Sequence, residues 1–135
     1  ELRSIKLPEN QPAEGEEDPD DEDHRLYVEM DTQVTRDRLF LKQGLGRDDL
    51  MRLIGVDKNR FGKMMSKYSD ASNTSVYINI KRVEYGAVLL LEHPEYTIST
   101  VANECGMNNT VTFNRTFKEI YNMTPSEYRE KMTAI

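Results

Sequence analysis

The chain has 135 residues, enough for one domain with a tail, and a formal net charge of −6. No run approaches the roughly 18 apolar residues that span a membrane, and no secretory segment opens the chain. A single cysteine, Cys105, excludes an internal disulfide and suits a reduced, cytoplasmic setting, where it serves as a small apolar filler.

The charge is unevenly spread. Residues 1–25 hold ten acidic and three basic side chains, against 14 acidic and 15 basic in residues 26–135. Leu7 to Asp23 is acidic, contains prolines and has almost no apolar side chains, so it cannot offset the entropy of ordering. Residues 1–25 are therefore expected to be a disordered linker, and residues 26–135 the domain. The other reading of this segment is a competitor for a basic face. The ligand spacing of a calcium-binding loop is absent. Because the chain opens on Glu1 and not Met, it is expected to be a piece of a longer protein.

From Leu26 onward the pattern is helical. Leu26, Met30 and Val34 mark a first helix. Leu50, Leu53 and Ile54 mark a second over Arg47 to Ile54, stopped by Gly55-Val56. Asp57 is a good cap for a third over Lys58 to Tyr68, whose inner face is Phe61, Met64 and Met65. A polar loop over Ser69 to Ser75 precedes a long helix, about 75–92, with Ile80, Val83, Leu89 and Leu90 among its apolar positions; His93-Pro94 ends it. Ile98, Val101 and Ala102 then share one side of a short helix that Gly106 breaks. The next helix runs to Tyr121 with Phe113, Phe117 and Ile120 on one face. Thr124-Pro125-Ser126-Glu127 is a capping box that opens a closing helix, about 125–132.

The two helix-turn-helix segments, about 47–68 and 98–121, repeat one pattern. Leu50-Met51, Gly55, Phe61 and Met65 echo Val101-Ala102, Gly106, Phe113 and Phe117. The expected fold is all-α, about seven helices, with two helix-turn-helix subdomains joined by the long helix. A tight glycine turn between short amphipathic helices presents the second helix to a DNA groove, and two copies could enter the major groove about 34–36 Å apart. The near-neutral balance of residues 26–135 permits this if positive charge gathers on one face.

Ile98, Ala102, Gly106, Phe113, Arg115, Phe117, Lys118, Thr124, Pro125, Tyr128 and Arg129 carry a resemblance. Tyr77-Ile78-Asn79, Arg82 and Leu89-Leu90 of the long helix also fit. On these residues the sequence, from about Phe40 to Met132, resembles the C-terminal DNA-binding domain of bacterial AraC/XylS-type transcription regulators. Met51, Gly86 and Met107 depart from the family's usual residues. Gly86, in mid-helix, is expected to cost about 1 kcal/mol relative to Ala. The resemblance implies the output domain of a sensor protein that binds double-stranded DNA, contacts RNA polymerase and forms a homodimer through a further N-terminal region. Such a full-length protein could be membrane-tethered.

With Phe113 and Phe117 inward, Asn108, Val111, Arg115 and Lys118 face away from the core, with Thr112 beside them. Arg115 suits the edge of a guanine, or else a phosphate; Asn108, Asn109 and Thr110 can cap the helix or touch DNA; Val111 suits a thymine methyl. With Phe61 and Met65 inward, Asn59, Lys63 and Ser66 face out. Asn59 suits an adenine edge and Lys63 a guanine or phosphate, while Arg60 and Lys67 suit phosphates. Gly62 is small where close approach is needed, or simply tolerated. His24 and His93 lack ligand-spaced partners, so no metal is expected. With no nucleophile-base set or phosphate loop, neither an enzyme nor a cofactor is expected. A helical protein–protein interaction module is the alternative; RNA binding ranks behind it for want of a stacking platform.

Overall fold

The computed structural model describes residues 19–134, and among them every regular element is helical. The first helix, α1 (Pro19–Arg36), starts earlier than its apolar pattern suggests. Residues 19–25, expected in the linker, form its opening turns; residues 1–18 lie outside the described residues. Proline at the first helical position gives up no hydrogen bond, and Asp21, Glu22 and Asp23 sit near the positive end of the helix dipole. Further along α1 its inner face takes over, with Met30 and Val34 fully buried.

Past α1, Arg38 adopts a left-handed conformation (φ 53°) and leads into a 3-10 turn, Leu39–Leu41, that buries Phe40. The first motif pairs α2 (Arg47–Ile54) with α3 (Lys58–Tyr68). Asp49 accepts from the Gly46 N–H at 3.0 Å at the head of α2, which holds its carboxyl below the usual range. Asp57 caps α3 through the Arg60 N–H at 2.8 Å. Next comes α4 (Thr74–Glu92), capped by Asn73.

The second motif pairs α5 (Ile98–Glu104) with α6 (Thr110–Tyr121), and α7 (Pro125–Thr133) closes the chain. Gly106 turns between α5 and α6 at φ 94°. A side chain there would be strained by the backbone and would meet Arg82 Nε at 3.2 Å and the Phe40 carbonyl at 3.3 Å. The Thr124–Glu127 capping box forms at both of its bonds, 3.1 and 2.8 Å.

Neither motif has a wide enough apolar stripe to stand alone, and both close on α4. Tyr77 and Ile78 of α4 join Met30, Val34, Phe40, Leu50, Phe61 and Met65 in one core. Val83, Ala87, Leu89 and Leu90 join Val101, Ala102, Cys105, Met107, Phe113 and Phe117 in the other. Tyr85 packs against both. Gly86, expected only to weaken α4, is where the Phe113 ring comes closest: a Cβ there would stand 2.8 Å from Phe113 Cε1. Arg129 of α7 fastens the second core by donating to the carbonyls of Leu90, Tyr96 and His93 at 2.9, 2.7 and 3.1 Å. These carbonyls lie at and beyond the end of α4, where Pro94 prevents the helix from continuing.

Candidate nucleic-acid interface

Burying Phe61, Met64 and Met65 turns the opposite side of α3 outward. That side lines an open depression of about 640 Å³ formed by Lys58, Asn59, Gly62, Lys63, Ser66 and Lys67. None of the six is acidic, and their spacing of one and four residues is that of a single helix face. Among the described residues, Lys58 and Lys63 have no carboxylate partner, whereas the Lys67 ammonium lies 5.6 Å from the Tyr68 ring centroid. No Cβ placed on Gly62 would meet anything within 4 Å. Its smallness serves no contact inside the protein.

Arg60 is engaged within the protein. It was grouped with Lys67 as a phosphate contact, but its guanidinium turns back to α1. It donates to Asp23 at 2.7 Å and to Glu22 at 3.0 Å. The bond to Asp23 holds the guanidinium even more firmly protonated than usual. Sequence reasoning also passed over Lys58. Its signal was available, since it stands four residues before Gly62 on the same face.

On α6, Phe113 and Phe117 are fully buried, and Val111 and Arg115 point outward, Val111 with 71% of its surface exposed. Arg115 makes no ion pair or hydrogen bond with any described residue. Lys118 is exposed too and faces Glu127, whose carboxyl is held low chiefly by the Thr124 N–H and only lastly by this charge. Asn109 is the cap of α6, accepting from the Thr112 N–H at 3.1 Å, and Thr110 and Thr112 are half-buried in that first turn. Asn108 is exposed, as expected, and its amide donates to Gln43 at 2.8 Å. Of the eleven residues expected at the interface, Asn59, Lys63, Val111, Arg115 and Lys118 therefore stand open. Asn109 has a capping duty, Lys67 rests beside an aromatic ring, and Arg60 and Asn108 are bonded to distant parts of the chain. No group of His, Cys, Asp or Glu among the described residues could hold a metal ion, and no helix there is long and apolar enough to cross a membrane.

Known proteins share this fold. The helix-turn-helix domain family matches residues 50–131, from α2 into α7. The Msm operon regulatory protein of Streptococcus mutans is 23% identical over 87 residues, covering 63% of this chain and 30% of its own length. The regulatory protein PocR of Salmonella typhimurium is 26% identical over 92 residues, covering 68% and 30%. This chain thus spans less than a third of either relative. Among solved structures, the DNA-binding domain of AdpA, in complex with a target DNA, superposes with a TM-score of 0.64 at 19% identity, covering 79% of this chain and 92% of that one. The C-terminal domain of AraT, a response regulator from Geobacillus stearothermophilus, gives 0.61 at 19% identity, covering 81% and 84%. At such identities the superpositions speak for the fold. The family match, running through both motifs and the helix between them, makes this chain a member of the helix-turn-helix family, in the two-motif form of AraC/XylS-type transcription regulators.

Proposed function

We propose that this domain binds double-stranded DNA with sequence preference, α3 and α6 each entering a major-groove segment about 34–36 Å apart. The observation that carries the reading is the outer face of α3. On a chain of net charge −6, that face gathers Lys58, Lys63 and Lys67 around Asn59 and Ser66 without one carboxylate. Asn59 and Lys63 read base edges, Lys58 and Lys67 hold phosphates, and Arg60 joins them only when its carboxylate partners let go. On α6, Arg115 reads a guanine edge and Val111 a thymine methyl. Lys118 takes a phosphate, and the capped first turn, Asn109 to Thr112, lies against the backbone. The domain acts as the output part of a longer regulator. RNA polymerase contact and homodimerisation through an N-terminal region belong to this reading by analogy with its family, as does a cytoplasmic location.

The test is selection of duplexes from a random library by the purified domain, followed by titration at rising salt. Three phosphate contacts, from Lys58, Lys67 and Lys118, would lower affinity about 40-fold between roughly 50 and 200 mM salt. Arg115→Ala is expected to cost about 1–3 kcal/mol on the selected site and to relax preference at one base pair. No selection, with binding to DNA that is weak and flat in salt, would leave the helical interaction module as the function.

A further inference from the structure

The two motifs share α4, yet α4 is not their sole tie. Gln43 lies in the loop that leads from the 3-10 turn to α2. Its amide nitrogen donates to the Gly106 carbonyl at 3.3 Å, and its oxygen accepts from Asn108 at 2.8 Å. Behind this contact Arg82 of α4 donates to the carbonyls of Phe40 at 2.6 Å and Lys42 at 3.0 Å. The loop that carries Gln43 is thereby fixed to α4. Gly106 lets the second motif approach, since a Cβ there would crowd both Arg82 and Phe40.

Gln43 belongs to neither core, and its side chain is exposed. The residue it grips, Asn108, immediately precedes the cap of α6. A bond at that point constrains where the second reading helix starts relative to the first motif. Changing the separation of two DNA half-sites by one base pair shifts one of them by about 3.4 Å and turns it by about 34–36°. A domain joined by α4 alone could follow part of that change by gentle helix bending. A domain with the Gln43 bonds in place must break them to follow.

We propose that Gln43 is a positioning residue for DNA recognition: by holding the α5–α6 turn against the first motif, it sets the separation between half-sites that the domain accepts. The proposal rests on the bipartite reading above. It also gives Asn108, expected among the DNA contacts, a different duty, with its amide committed inside the protein.

Library selection with wild-type protein and with Gln43→Met tests this; the variant keeps the length of the side chain and removes both bonds. Wild type should select paired half-sites at one preferred separation. Gln43→Met should select the same half-site sequences over a spread of separations. Each net side-chain hydrogen bond is worth a factor of about 2–10, low in that range where exposed. Discrimination against sites one base pair longer or shorter should therefore fall about fivefold, with Gln43→Ala giving the same result. Discrimination within twofold of wild type overturns the proposal. So does an equal loss of affinity at every separation, which would make Gln43 an ordinary contact or a support of the fold. Wild-type protein that selects only a single half-site would overturn the bipartite reading itself, an outcome visible before any variant is made.

Discussion

Replacing Gly86 with alanine sets two effects of known sign against each other. In the interior of α4 the change should add about 1 kcal/mol through helix propensity. Against it stands the Phe113 ring: a Cβ at position 86 would lie 2.8 Å from Cε1, 3.0 Å from Cζ and 3.4 Å from Cys105 Sγ. The distal edge of a surface phenylalanine could swing aside. Phe113 is fully buried and its ring centroid stands 5.7 Å from that of Phe117, so relief requires α6 to move off α4. Overpacking of this kind costs about 1–3 kcal/mol. The net expectation for Gly86→Ala is a loss of about 1 kcal/mol, or roughly 4 °C for a domain of this size. Urea unfolding followed by circular dichroism measures it. The decisive arm repeats the substitution in a Phe113→Leu background, where the ring edge is gone. There the sign should reverse and alanine should stabilise by up to about 1 kcal/mol, because contacting sites are not additive. Stabilisation by Gly86→Ala with Phe113 intact would refute the steric argument.

Gly62→Ala should act oppositely on fold and function. With nothing within 4 Å of its Cβ, it should raise stability by up to about 1 kcal/mol, while DNA affinity falls if the groove approaches α3 as closely as proposed; unfolding and binding titrations on one preparation read both. Glu22→Gln with Asp23→Asn should free Arg60 for phosphate, steepening the slope of log affinity against log salt by about 0.9 with a change in unfolding midpoint of no more than a few degrees, since the pairs are only half-buried. An unchanged slope would leave Arg60 a purely internal residue. Burial pushes the Cys105 thiol up to about 11 from an ordinary value near 9, and burial with the Asp31 bond pushes the Tyr77 hydroxyl well above its usual range. Both groups are thus neutral in the fold at pH values where the unfolded chain would lose the proton. The Cys105 contribution is complete below about pH 8.5 and is lost as pH rises to about 11, whereas the Tyr77 contribution is complete below about pH 10 and is lost only above it; the unfolding midpoint should be flat from about pH 7 to 8.5 and fall beyond. Cys105→Ala should delay the onset toward the tyrosine range near pH 10.

Periodicity and caps made most of the fold legible. The stripes Leu50, Phe61, Met64, Met65 and Val101, Ala102, Phe113, Phe117 are buried, and Asp57, Asn109 and Thr124 cap the helices they precede. These are local signals, carried within one or two helical turns. What escaped depends on single bonds between distant residues, for which no spacing rule exists. Arg82 reaches Phe40 and Lys42, Gln43 reaches Gly106 and Asn108, and Arg60 reaches Glu22 and Asp23. The start of α1 was misjudged for the same reason. Composition alone weighs its acidic first turns as solvated chain, and the cation that offsets them stands 37 residues on. At the interface, 100° steps correctly turned Asn59, Lys63, Val111 and Arg115 outward, but could not tell that the amide of Asn108 was already committed.

Internal pairing of carboxylates lets an acidic chain present a basic face. Several of its carboxylates are held by particular groups. Asp49 is taken by the Gly46 N–H, Lys42 and Arg52, and Asp31 by Tyr77 and Lys81. Glu127 is taken by the Thr124 N–H, and Glu22 with Asp23 by Arg60. Each of these pairings ties an acid to a cap or to a cation off the α3 depression. No acidic side chain lines that depression. Net charge is a sum over the whole surface, whereas DNA meets one face of it, and at physiological salt charges more than about 8 Å away are largely screened. For recognition the local balance on α3 and α6 therefore outweighs the total of −6. That local balance turns on Arg60, an expected phosphate contact that acids of α1 hold.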